Sequence, residues 1–279
     1  MSKDIVTKDH WSKYADDYAS KETVPSAQFI STRNGEFHLG DEDLGTEMCV
    51  IITDVVREYT YYEGRYDPNN PEPPRCYAFG RDEESMVPGM FYDVDKGKET
   101  ERDLFAEKDP NGDWFEAQAE SCAECPMAEW GSSDTGRGKA CQQRRRLSVI
   151  PAGVFKKNKK TKEVELELFD DPEDLAEVDM AYMKVPVTST KHWAKYLKAV
   201  AQMGRPPFGV ITRVWLEKTD NQFELQFEMV EELPEELIGV VMERHEEARR
   251  TIVQPYRPPE ENAPTGVRGL KGKKKGGRR

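Results

Sequence analysis

Cys122-Ala-Glu-Cys125 places two thiols two residues apart, a knuckle that presents both sulfurs to one metal ion. Cys141 follows after a Gly-rich loop, and Arg144-Arg145-Arg146 comes close behind it. Zinc takes four sulfur or imidazole ligands in a tetrahedron, so one more ligand is required. Cys76, in Pro73-Pro74-Arg75-Cys76-Tyr77-Ala78, is the preferred fourth, with His38, His192 and Cys49 as rivals. Four protein ligands leave no open coordination position, so the expected Zn2+ is structural and not hydrolytic.

The second constellation is basic. From Arg137 to Lys162 there are ten Lys and Arg and no acid. Arg137, Lys139, Arg144, Arg145, Arg146 and the Lys156–Lys160 run are the candidates for a groove that tracks phosphates; the competing reading is a solvated charged face. Neighbours on a strand point to opposite faces, so at most alternate members of the arginine triplet share a surface. Binders of single strands add aromatic platforms on which bases stack. Tyr59, Tyr61, Tyr77, Trp130 and Trp215 are the candidates, Trp215 forming an Arg–aromatic pair with Arg213; core packing is a close second reading of Trp215. Asp41-Glu42-Asp43 is read as a solvated turn, although such a trio can hold a hard cation.

Enzyme signatures are missing. Gly131-x4-Gly136 is followed by Arg137-Gly138, not by Lys-Ser/Thr, and no apolar strand precedes it, so it is no P-loop. There is no His-Glu-x-x-His and no Gly-x-Ser-x-Gly, and Cys49 and Cys76 have no evident general base. The chain reads as a non-enzyme.

Several elements must position these groups. Asn34-Gly35 separates two short strand pieces, a hairpin signal. Glu47 to Tyr62 is a long β-branched strand in which Cys49 is a small buried hydrophobe. Residues 76–122 lack periodicity, and a metal would explain how so long a coreless span is ordered. Arg144–Pro151 is a strand, and Val154 to Phe169 a hairpin with Val164, Leu166 and Leu168 inward. Asp170–Asp179 reads as an acidic connection and Met180–Pro186 as a strand. A helix carries Trp193, Tyr196, Leu197 and Val200 on one stripe and stops at Gly204. A final hairpin, residues 209–230, precedes a helix opened by Pro234. Trp11, Tyr14 and Tyr18 suggest a short amphipathic helix near the start. The expected fold is mainly β: an OB-like antiparallel barrel over residues 1–254 with a zinc-binding insertion at about 76–141, two flanking helices and a disordered basic tail at 255–279.

Totals narrow the partners. The mean hydropathy is −0.82, no apolar run approaches membrane-spanning length, and residues 1–5 carry no apolar signal core, so a membrane is not an expected partner and a cytoplasmic location is expected. Five cysteines, three of them bunched, suit a reducing compartment. The net charge of −12 argues against nucleic acid only as an average. Nine acids and no base lie between Glu163 and Asp179, and seven bases and no acid between Gly266 and Arg279. A local basic groove decides phosphate binding.

Pro74-Arg-Cys76-Tyr-Ala, Cys122-x2-Cys125-Pro, Trp130-Gly-Ser, Gly138-Lys-Ala-Cys141, Arg145-Arg-Leu147 and Val185-Pro-Val-Thr-Ser189 together resemble a group of single-stranded DNA-binding proteins of tailed bacteriophages. The resemblance runs over roughly residues 25 to 250. It implies an OB-type barrel with a zinc insertion, acting on single-stranded DNA in phage replication or recombination inside an infected bacterium, alongside phage replication or recombination proteins. The C-terminus departs from the acidic tail that many such proteins use to recruit partners: it ends Lys271-Gly-Lys-Lys-Lys275-Gly-Gly-Arg-Arg279. The alternative is a zinc-stabilised adaptor for a replication or transcription protein. A third reading, a nuclease built on Asp41–Asp43, requires divalent-dependent cleavage.

Overall fold

A computed structural model describes residues 28–64, 72–95, 98–103, 115–157, 164–220 and 222–253. The expected N-terminal helix, Lys159 and Lys160, and the basic tail lie outside them.

Twelve strands form one mixed sheet: β1 (Gln28–Arg33), β2 (Glu36–Leu39), β3 (Glu42–Gly45), β4 (Glu47–Tyr61), β5 (Cys76–Gly80), β6 (Met90–Asp95), β7 (Lys98–Asp103), β8 (Gln142–Lys157), β9 (Val164–Leu168), β10 (Ala181–Val185), β11 (Val210–Lys218) and β12 (Phe223–Glu232). The helices are α1 (Pro172–Glu177), α2 (Thr190–Gln202) and α3 (Glu235–Thr251). The main order is β3-β2-β1-β10-β8-β4-β5-β6-β7, with β9 paired to β8 and the β11–β12 hairpin joined to β4.

The long strands β4 and β8 are the spine, antiparallel from Cys49↔Gly153 to Thr60↔Gln142. Val50, Ile51, Ile52, Val55 and Val56 suit a pleat covered on both sides. At the β1–β2 turn Asn34 and Gly35 have φ of 55° and 88°, the positive pair a two-residue hairpin needs.

Even and odd positions feed different layers. Val50, Ile52, Leu147 and Val149 pack under Trp193, Tyr196 and Val200 of α2. Cys49, Ile51 and Ile150 pack beneath Leu175 of α1 and Leu237 and Val241 of α3. Tyr196 and Thr212 close a hydrogen bond between their hydroxyls at 2.5 Å inside the first layer. Gly153 sits where β9 crosses β8 closely; an added Cβ would lie 2.5 Å from the Glu167 carbonyl oxygen. Gly153→Ala should destabilise the fold by about 1–3 kcal/mol, measured by urea denaturation.

The barrel expectation is corrected. Among the described residues no ladder joins β3 to β4 and the sheet stays open, with a groove lined by Leu39, Leu44, Met48 and Phe155. Nor is it wholly antiparallel: β1 runs parallel to β10, and β5 to β6. Two further readings change. Much of the span from 76 to 122 is paired strand (β5, β6 and β7). The acidic connection contains α1, because Asp171 caps it by accepting from the Glu173 amide, Pro172 starts it and Leu175 anchors it. No helix among the described residues is long and apolar enough to cross a membrane.

Candidate metal centre and nucleic-acid interface

Cys76 opens β5 opposite Tyr61 of β4. Cys122 is held by its amide donating to the Met86 carbonyl at 3.0 Å. Cys125 precedes a 3-10 turn, Pro126–Ala128, whose Ala128 amide donates back to the Cys125 carbonyl at 2.9 Å. The Cys141 amide donates to the Met127 carbonyl at 2.8 Å, which returns the loop to the knuckle before β8 begins. All four side chains line one small cavity of about 10 Å3, together with Tyr59, Tyr61 and Ala128. They are buried free thiols. The rivals lie elsewhere: Cys49 is in the α3-side core, His192 bonds Glu224 at 2.8 Å, and His38 stands beside Glu36 and Asp43.

Burial, with the neighbouring sulfurs adding to it, pushes the Cys122 and Cys141 thiols up to about 12; burial first, and then Cys125, pushes Cys76 to about 11. Cys76, Cys122 and Cys141 are therefore protonated at neutral pH without metal, and an ion entering must displace their protons. An all-sulfur set of four suits zinc. No three of these sulfurs lie within 4.8 Å of one another, wider than the roughly 3.8 Å edge of a tetrahedron with bonds about 2.3 Å long, so coordination would require them to approach. Among the described residues, the one trio with ligand atoms all within 4.8 Å is Glu36, His38 and Asp43 on the exposed β2–β3 arm. There Asp43 also accepts from the Gly45 amide at 2.8 Å, a turn-stabilising contact.

The arginine triplet divides between faces as strand geometry requires. Arg144 and Arg146 lie with Glu58 on one face; Arg145 lies with Arg57, Tyr59 and Gln143 on the other. Arg146 is a correction to the phosphate-groove expectation. It is 2% exposed, its Nε donates to Glu58 at 2.7 Å, and it donates to the Ile252 carbonyl at the end of α3. Its guanidinium also lies over Phe29 and Phe79. Lys184 pairs with the other Glu58 oxygen at 2.7 Å. Arg144 and Arg145 are partly buried and have no ion-pair partner among the described residues. Lys139 donates to the Gln143 side chain at 2.9 Å, and Arg137 is exposed. Lys156 pairs with Glu167 across the β8–β9 ladder.

Two aromatic candidates are also corrected. Tyr59 is buried and donates to Glu83 at 2.7 Å; Tyr77 is buried against Phe79 and Phe115. Both fill the layers that flank β5, so neither offers a ring to a base. Tyr61 is partly exposed at the rim of the cysteine cavity. Trp130 is 80% exposed. Its loop closes through the Gly131 amide donating to the Gly138 carbonyl at 2.7 Å, with φ of 96° and 99° that only glycine adopts comfortably. That backbone bridge brings the chain next to Trp130 close to the chain next to Arg137 and Lys139.

Arg213 does lie against Trp215, 5.2 Å from its ring centroid, and is tied to Glu47 at 2.7 Å. Trp215 is partly buried and lines a groove with His192, Lys195 and Met203 of or beside α2. The pair sits at the Glu47 end of β4. At about 3.3 Å per residue that is roughly 46 Å from the cysteine end, so it is not part of one compact site with Trp130. Arg57, Glu58 and Glu83 escaped sequence reading: Arg57 and Glu58 face opposite sides of β4, Glu83 lies in the turn after β5, and their partners depend on register.

Comparison with protein-family models, with curated proteins and with solved structures finds no match.

Proposed function

We propose that the chain is a non-enzymatic, sequence-tolerant single-stranded DNA-binding protein whose loop module is shaped by one structural zinc ion. Cys76, Cys122, Cys125 and Cys141 would hold the ion, which supplies rigidity and no open coordination position. The observation that carries the reading is Trp130: an indole left 80% exposed on a glycine-bridged neck shared with Arg137 and Lys139. An apolar ring held in water on a loop that also carries two cations suits base stacking together with phosphate contacts. The resemblance to tailed-phage single-strand binders points the same way, and with it a role in phage replication or recombination within the host cytoplasm.

The test is titration of single-stranded oligonucleotide with tryptophan fluorescence as readout. Trp130→Ala should lose roughly 5- to 100-fold in affinity, as expected for one base–aromatic stack, while Trp130→Phe retains most of it. Unchanged affinity in Trp130→Ala would remove the loop from the interface. The adaptor reading is favoured by the net charge of −12 and by the suitability of an exposed Trp as a protein anchor. Absent DNA binding in protein that retains zinc would move the assignment there.

A further inference from the structure

Arg57 and Arg145 are directly opposed in the β4–β8 ladder and point to the same face. Opposed Cβ atoms in such a ladder lie about 5 Å apart, and like charges so placed repel. One carboxylate stands near them. Glu83 accepts from the Arg57 guanidinium at 2.9 Å through one oxygen and from the Tyr59 hydroxyl at 2.7 Å through the other. Arg145 has no ion-pair partner among the described residues; its bond is to the Arg144 carbonyl at 3.1 Å. Burial, then Arg57 beside it, lowers the Arg145 pKa, and the opposing pull of Tyr59 and Glu83 does not cancel them. Elsewhere in this half of the sheet Arg75 pairs with Glu116, Arg81 with Asp54 and Arg146 with Glu58, whereas Arg144, which also has no ion-pair partner among the described residues, lies on the opposite face from Arg145.

We infer that Arg57 and Arg145 together form a seat for one phosphate group, a backbone phosphodiester in the single-stranded DNA reading on which this inference rests. Two guanidinium forks supply paired donors suited to phosphate oxygens, and a dianion or shared phosphodiester relieves their mutual repulsion. The seat lies four residues along β8 from Cys141, roughly 13 Å, on the face that carries the cysteine cavity. A strand stacked on Trp130 would continue toward it.

The experiment uses the full chain and three variants, Arg57→Gln, Arg145→Gln and the double substitution, with Arg33→Gln, an exposed arginine of the β1–β2 hairpin, as control. Without added anion, Arg145→Gln should melt at or above the parent temperature, because a repulsion is removed. Pyrophosphate at matched ionic strength should raise the parent and Arg33→Gln melting temperatures and leave the three variants unmoved. On single-stranded oligonucleotide, each of the three should lower the slope of log affinity against log salt by the same amount, about 0.7, since one phosphate is shared. A slope change in the double variant equal to twice that of the singles would overturn the shared seat. So would parent-like slopes and pyrophosphate response in all variants, and DNA binding by the parent would then still stand. If the parent binds no DNA but the pyrophosphate response is lost in the variants, the seat stands and the DNA reading falls. In that case the anion source is a free phosphate compound.

Discussion

Cys141→Ser is expected to abolish zinc retention. The parent should carry one zinc per chain by elemental analysis and the variant close to none. Structural zinc is worth an apparent 10–16 kcal/mol in small zinc-finger peptides, comparable to or above the whole stability of a domain, so the loop module should lose its order with the metal. Limited proteolysis should then cut between residues 115 and 141, where Cys122, Cys125 and Cys141 secure a segment with few apolar anchors beyond Met127 and Ala128. The α2 side of the sheet has its own core and should resist. Cys49→Ser tests the ligand choice: Cys49 belongs to the apolar layer under α3, so that variant should keep its zinc. Acidification should release the ion, because protons compete for the same sulfurs.

Arg146→Ala should cost about 3–5 kcal/mol, the penalty of leaving one member of a buried ion pair without its partner. In a domain of this size that is a fall of about 10 °C in melting temperature. Burial alone would raise the Glu58 pKa, but Arg146 and Lys184 overcome it and hold the carboxyl down at about 2. The folded value lies below the unfolded one, so the stabilisation is complete above pH of about 4.5 and is lost as pH falls toward about 2. Urea denaturation between pH 6 and pH 2.5 should show that loss in the parent and less of it in Glu58→Gln. Replacing the pair together, Glu58→Leu with Arg146→Met, should recover most of the stability, since no unpaired charge remains. DNA affinity should survive that exchange, because Arg146 faces Phe29, Phe79 and Ile252 and not solvent. A loss of affinity in a well-folded double variant would return Arg146 to the interface.

Much of this architecture was legible because it is local. The Asn34-Gly35 hairpin, the β4 run, the Trp193–Val200 stripe and the Pro234 helix start each carry their signal within a few residues. The cysteine constellation was legible for another reason: its residue types have few structural uses in combination. What failed needed register. Whether Arg144, Arg145 or Arg146 meets solvent is decided by which face of β8 packs beneath α3, and that depends on a partner strand more than 80 residues away. Tyr59 and Tyr77 look like platforms in sequence, yet β5 lies beside β4 and buries both rings. Closure of the sheet was misread because the strand pattern is the same whether or not β3 meets β4.

The most direct test is titration of protein of known zinc content onto a fluorescent single-stranded oligonucleotide at two salt concentrations, with duplex of the same length as control. The account predicts tight binding to the single strand that weakens steeply with salt, and much weaker binding to duplex. Protein carrying one zinc per chain that binds neither strand form, or binds with no dependence on salt, would contradict it.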